Sequence, residues 1–167
     1  PAPPPTPVVE KAEDARIVLV VGDFMAGGLA DGLREAYAER ADVVVVDRAN
    51  GSSGFVRDDF YDWPAAIGGI LDDVGPDVVV AMIGSNDRQQ MALSQGRVEK
   101  LTPEWNEAYE RLVEAFAEAV GNRRLPLIWV GQPSFKFSSM SADMLALNDV
   151  YRAAAESVGG EFVDIWD

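Results

Sequence analysis

Neither cysteine nor histidine occurs anywhere in the 167 residues. Without cysteine there is no disulfide, no thiolate nucleophile and no zinc site of cysteine type, although the compartment stays open because many exported proteins lack disulfides too. Without histidine, no imidazole in this chain can take the proton of a serine hydroxyl, so the usual Ser-His relay cannot be assembled from it. Positive charge is scarce as well: 14 Lys and Arg stand against 28 Asp and Glu, a formal charge of −14. Phosphate backbones and anionic membrane surfaces repel such a chain, which argues against nucleic acid as a partner. No apolar run approaches the roughly 18 residues of a membrane span, so no direct membrane insertion of this domain is expected.

What remains is a globular composition, with 48% apolar and 25% charged residues in a length that suits one domain with a real core. The ends differ from the middle. Residues 1–15 open with PAPPPTP, which favours extended polyproline geometry and reads as a tether. A chain that starts inside such a linker is expected to have an upstream piece, either an export signal or anchor, which points to a periplasmic or cell-envelope location, or another domain joined by a simple linker. Residues 16–167 form the domain, and Glu161 to Asp167 read as a closing strand after which a further loop and helix are expected.

Between the ends, Val- and Ile-rich runs at Ile17 to Val21, Val43 to Val46, Val78 to Ile83, Leu125 to Val130 and Phe162 to Ile165 read as five buried strands. Amphipathic stretches separate them at Leu29 to Glu39, Pro64 to Val74, Pro103 to Val120 and Ala142 to Val158, with apolar residues recurring at helical spacing. Pro103 suits the first turn of its helix, and Gly159-Gly160 closes the last one. Alternation of this kind predicts an α/β fold of three layers, a flavodoxin-like five-stranded parallel sheet in the order 2-1-3-4-5. In such a sheet, ligands bind beyond the carboxyl ends of the strands, so the loops there decide function.

Those loops read Gly22-Asp23-Phe24, then Asn50-Gly51-Ser52-Ser53-Gly54, then Gly84-Ser85-Asn86-Asp87, then Gly131-Gln132-Pro133. In order and spacing they resemble the SGNH/GDSL hydrolases, and the likeness extends over essentially the whole globular part, closest to an envelope-associated branch of that superfamily. The resemblance implies that Phe24 stands where the family has its nucleophilic serine. It implies an oxyanion hole made by the Phe24 N–H, the Gly54 N–H and the Asn86 side chain, in a pocket that also takes in Gly22, Asp23, Ser53, Ser85, Asp87 and Gln132. Three converging donors would stabilise a developing negative oxygen, each worth about 3 kcal/mol in hydrolases of this type. A phenylalanine ring at that turn would project into the space of the acyl carbon.

The family's closing Asp-x-x-His block has no match in this chain. Two functions follow as expectations. The first is a non-catalytic module that binds a small acyl or acetylated-glycan ligand, or an envelope partner protein. The alternative is an ester hydrolase or O-acyltransferase, with a histidine from a further C-terminal segment and a substitute nucleophile such as Ser85, or more remotely Ser52 or Ser53. No cofactor and no metal is expected: Asp58, Asp59 and Asp62 read as a solvated acidic loop, because their spacing matches no ligand loop. The four tryptophans read as core and rim packing. A phosphate loop would need Lys-Ser/Thr where Gly28-Leu29 stands, and GDFMAGG supplies no dinucleotide fingerprint.

Overall fold

The computed structural model describes residues 9–166. Strands β1 (Arg16–Gly22), β2 (Val43–Ala49), β3 (Val78–Met82), β6 (Leu127–Val130) and β7 (Glu161–Val163) pair in parallel in the order β2-β1-β3-β6-β7. This is the predicted topology, since β6 and β7 are the fourth and fifth strands of the sheet. The extra pair is a short antiparallel hairpin, β4 (Met91–Leu93) with β5 (Gly96–Val98), that sequence reading leaves as loop. Three residues per strand are too few to display an alternating pattern.

The central strands read as continuous apolar runs because both faces are covered. One face carries Leu19, Val21, Val79, Ala81, Leu127 and Trp129 against α2 (Trp63–Val74), α3 (Pro103–Gly121) and α4 (Ser138–Ser157). The other carries Val20, Val45, Val80, Met82 and Val130 against α1 (Phe24–Ala36), whose Ala26 and Ala30 let the helix sit close to the sheet. The larger core is aromatic: Trp129 stacks on Tyr151 with centroids 5.1 Å apart, and Phe116 meets the edge of Trp129 at 5.5 Å. Each such ring buried adds about 1.5–3 kcal/mol of transfer free energy, which roots α3 and α4 to the middle of the sheet.

Three helix starts differ from the sequence reading. Helix α1 begins at Phe24 rather than Leu29, because Asp23 caps it and the Met-Ala-Gly-Gly stretch is drawn into its first turns. The strongest periodic signal starts only where buried residues recur. Helix α2 begins at Trp63, capped by Asp62. Helix α4 begins at Ser138, ahead of the expected Ala142, although it has no side-chain cap. The last strand covers Glu161–Val163 rather than extending to Ile165, and β6 starts at Leu127 rather than Leu125.

Candidate functional site

The turn after β1 is built by one carboxylate. Asp23 is fully buried, and its Oδ1 accepts from the Met25 N–H at 2.9 Å, capping α1. Its Oδ2 accepts from the Gly84 and Ser85 N–H groups at 2.9 and 2.8 Å, which ties the β1–α1 turn to the loop after β3. Gly22, just before it, has φ +143°, and a Cβ there would lie 1.9 Å from the Met82 carbonyl oxygen, so only glycine lets the two strand ends close on each other.

The second carboxylate, Asp87, fixes the loop after β2. It too is fully buried, accepting from the Phe55 and Val56 N–H groups at 3.0 Å each and from the Tyr109 hydroxyl at 2.7 Å. Tyr109 shares a further 2.7 Å hydrogen bond with Tyr151. Burial pushes the Asp87 carboxyl up against the opposing pull of these three donors, and it pushes both tyrosine hydroxyls up as well. Gly54 lies flat on that carboxylate: a Cβ would sit 2.2 Å from Asp87 Oδ1. The glycine at this place is therefore demanded by packing.

The Asn50–Ser53 turn is pinned from both sides. Asn50 N–H donates to the Gly22 carbonyl at 2.7 Å. Ser53 donates its hydroxyl to the Asn50 carbonyl at 2.6 Å and accepts from the Trp63 indole at 2.8 Å. Held this way, the turn aims the Gly51 carbonyl oxygen at the start of α1, where it accepts from the Phe24 N–H at 3.1 Å. The Asn86 side-chain amide donates to the same Gly51 oxygen at 3.4 Å and to the Ser53 carbonyl at 2.8 Å. Of the three groups that the resemblance assigns to an oxyanion hole, two are thus turned onto the chain's own carbonyls. The Gly54 N–H makes no hydrogen bond among the described residues.

The loops bring Gly22, Asp23, Phe24, Ser53, Gly54, Ser85, Asn86 and Asp87 together at the carboxyl ends of β1, β2 and β3. Their exposure sorts them. Asp23, Ser53 and Asp87 are buried and hold the loops from behind, so they are not surfaces a ligand can reach. Gln132, after β6, is likewise buried, and its backbone is bracketed by Asn148 of α4, which accepts from its N–H at 2.7 Å and donates to its carbonyl at 2.9 Å. Its side-chain amide finds no partner among the described residues. Sequence reading placed these residues in the pocket because short polar residues at strand ends look alike whether they face a ligand or the backbone. Ser85 is half-buried, and no hydrogen bond of its hydroxyl occurs among the described residues.

Phe24 departs from the expected geometry. Its ring is 74% exposed and stands out from the turn instead of filling it. It rims a shallow apolar cleft of about 310 Å³ walled by Met25, Leu29, Met82, Val130 and Ile165. Asn148, Tyr109 and Tyr151 are the supporting residues that sequence reading missed. Each sits in a helical apolar stripe, and nothing in the pattern distinguishes it from ordinary core.

A family described as "Protein of unknown function (DUF459)" matches residues 17–167. No curated protein matches the chain. Among solved structures, the fold is similar to a catalytic mutant of Axe2, an acetylxylan esterase from Geobacillus stearothermophilus, with TM-score 0.64 and 19% identity over 96% of this chain and 79% of that one. It is also similar to LAE5, an alpha/beta hydrolase from the metagenome of Lake Arreo, Spain, with TM-score 0.64 and 21% identity over 95% and 79% of the two chains. A mutant of the esterase AlinE4 superposes with TM-score 0.63 at 16% identity, over 92% and 77%. At these identities the likeness establishes an SGNH-type hydrolase fold.

Proposed function

For a chain that belongs to the DUF459 family and carries the SGNH hydrolase fold, we propose a non-catalytic role: a binding module of the cell envelope that takes an acyl or acetylated-glycan ligand. The observation that carries this reading is the Gly51 carbonyl oxygen sitting on the Phe24 N–H and the Asn86 amide. An oxyanion could use those donors only by evicting that carbonyl. Breaking two such hydrogen bonds costs about 2 kcal/mol, which is subtracted from the stabilisation of about 3 kcal/mol that each donor would give a transition state. Phe24 supplies no nucleophilic atom, and the sequence contains no histidine to act as base. Against the alternative of Ser85 as nucleophile stands its place beside Asn86, with no basic side chain hydrogen-bonded to it among the described residues.

The apolar cleft beside Phe24 suits the acyl or acetyl part of a ligand, because its walls carry no charge and the exposed ring adds contact area. The test is acetate release from acetylated xylo-oligosaccharides and short-chain acyl esters. We expect background rates for the wild type and for Phe24→Ser, since a serine introduced there would still face engaged donors and no histidine within this sequence. Clear wild-type turnover that Ser85→Ala abolishes would overturn the proposal in favour of an esterase with a displaced nucleophile.

A further inference from the structure

Two cations share one carboxylate beside the turn after β3. Arg88 follows Asn86 and Asp87 on the tight turn after β3, and its Nε donates to Asp143 Oδ2 at 2.8 Å. Lys100, between the β4–β5 hairpin and α3, donates to that same oxygen at 2.5 Å. Asp143 comes from the first half of α4, and its side chain is only 14% exposed. Among the described residues neither cation has another ion-pair partner, so the trio carries one net positive charge in a chain whose formal charge is −14. Structural need does not explain the surplus: either cation alone would neutralise Asp143.

The geometry of Arg88 gives the surplus a direction. Asp143 engages the guanidinium through Nε, so its plane is set, while the two terminal nitrogens make no hydrogen bond among the described residues. Its side chain remains 26% exposed and that of Lys100 36% exposed. A guanidinium fixed at one edge and open at the other is preorganised for two parallel N–H bonds to an oxyanion, with an ammonium beside it. The turn that carries it is the one that carries Ser85 and Asn86, and the Gln89 side chain stiffens that turn by donating to the Asn86 carbonyl at 2.7 Å.

We propose that Arg88 and Lys100, held by Asp143, form a binding site for a single oxyanion, a carboxylate or phosphate. The inference goes beyond the binding reading of the cleft beside Phe24, whose walls include none of these three residues. Repulsion from the rest of the surface makes the site selective, since a free anion gains only where the local charge is reversed.

The test follows side-chain resonances of Arg88 and Lys100 by NMR while sodium glucuronate or sodium phosphate is added, against sodium chloride at matched ionic strength. Saturable shifts with a Kd on the order of millimolar are expected for one of the two anions. Saturation by glucuronate alone assigns a carboxylate, and saturation by phosphate alone assigns a phosphoryl group. Arg88→Gln should weaken binding at least about tenfold, and Arg88→Lys should recover only part of it, because the fork is lost while the charge stays. Lys100→Gln should weaken it less. Melting temperatures should change little in the single variants, because one cation still pairs with Asp143. If Arg88→Gln does not fold, wild type against Arg88→Lys decides. Absence of any saturable shift in the wild type, or unchanged affinity in the Arg88 variants, would overturn the proposal while leaving the ester-turnover test of the non-catalytic reading untouched.

Discussion

Asp23 ties two loops together with one side chain. Its two oxygens accept from Met25, Gly84 and Ser85, joining a helix N-terminus to the end of a neighbouring strand. Asp62, which caps α2, accepts a single N–H at 3.0 Å at an exposed position. Truncating the buried cap leaves three amides without their acceptor, whereas water replaces the exposed one. We therefore expect Asp23→Ala to cost about 3 kcal/mol or more and Asp62→Ala about 1 kcal/mol in urea unfolding. Equal effects would mean that the Asp23 bonds are not the tie between the loops. At this scale the glycine-aspartate pairs were legible, but their task was not. Gly54 looked like an oxyanion donor, and its contact with Asp87 adds a packing reason for the residue.

Helix α4 is anchored by more than its apolar stripe. Met144, Leu147, Tyr151 and Ala154 bury one side, but Asn148 is what aligns the helix with the end of β6, by matching both backbone groups of Gln132. Its register along β6 is thereby set by two hydrogen bonds in a site that excludes water. Asn148→Ala should cost about 2–4 kcal/mol, the sum for one N–H and one carbonyl left buried without partners. Asn148→Asp keeps the acceptor but turns an anion toward the carbonyl, and should be no better. Hydrogen exchange at Gln132 would read the loss directly; slow exchange in Asn148→Ala would count against this account. The β4–β5 hairpin is held in a similar way, by Trp105, whose indole donates to the Gln89 carbonyl at 2.9 Å while its ring stacks on Tyr109 at 4.5 Å.

Over the whole molecule, acidity sets opposing pH dependences. Arg40, by its hydrogen bond, holds the Asp42 carboxyl at about 2, and Arg57 and Arg123 hold Asp59 and Asp72 low in the same way. Burial raises the Asp143 carboxyl, but the hydrogen bonds from Lys100 and Arg88 outweigh it and keep it low. For these groups the folded pKa lies below the unfolded one, so their stabilisation is present above about pH 4 and is lost as pH falls through the folded value. Asp87 has the opposite sign. With its folded pKa raised, its contribution is complete below the ordinary carboxylate range and is lost as pH rises through the raised value. Urea midpoints measured from about pH 3 to 7 should pass through a maximum, and Asp87→Asn should show a shallower decline above it. An unchanged slope in that variant would remove Asp87 as the source.

The alternation of five apolar runs with four amphipathic stretches was enough to determine the parallel sheet and its order, because burial on both faces leaves a continuous apolar run in the central strands. The loop motifs likewise carried the SGNH likeness, since strand ends in this topology converge wherever the chain runs. Tertiary structure alone decided where the donors point. The Gly51 carbonyl reaches the Phe24 amide only because Ser53 is clamped by Trp63 and Asn50 is tied to Gly22. Tertiary structure likewise decided that Arg88 and Lys100 meet over Asp143 across separations of 55 and 43 residues. Periodicity reports which side of an element is buried. It says nothing of which polar group, among many at a strand end, finds which partner, because that depends on distances set by all the layers at once.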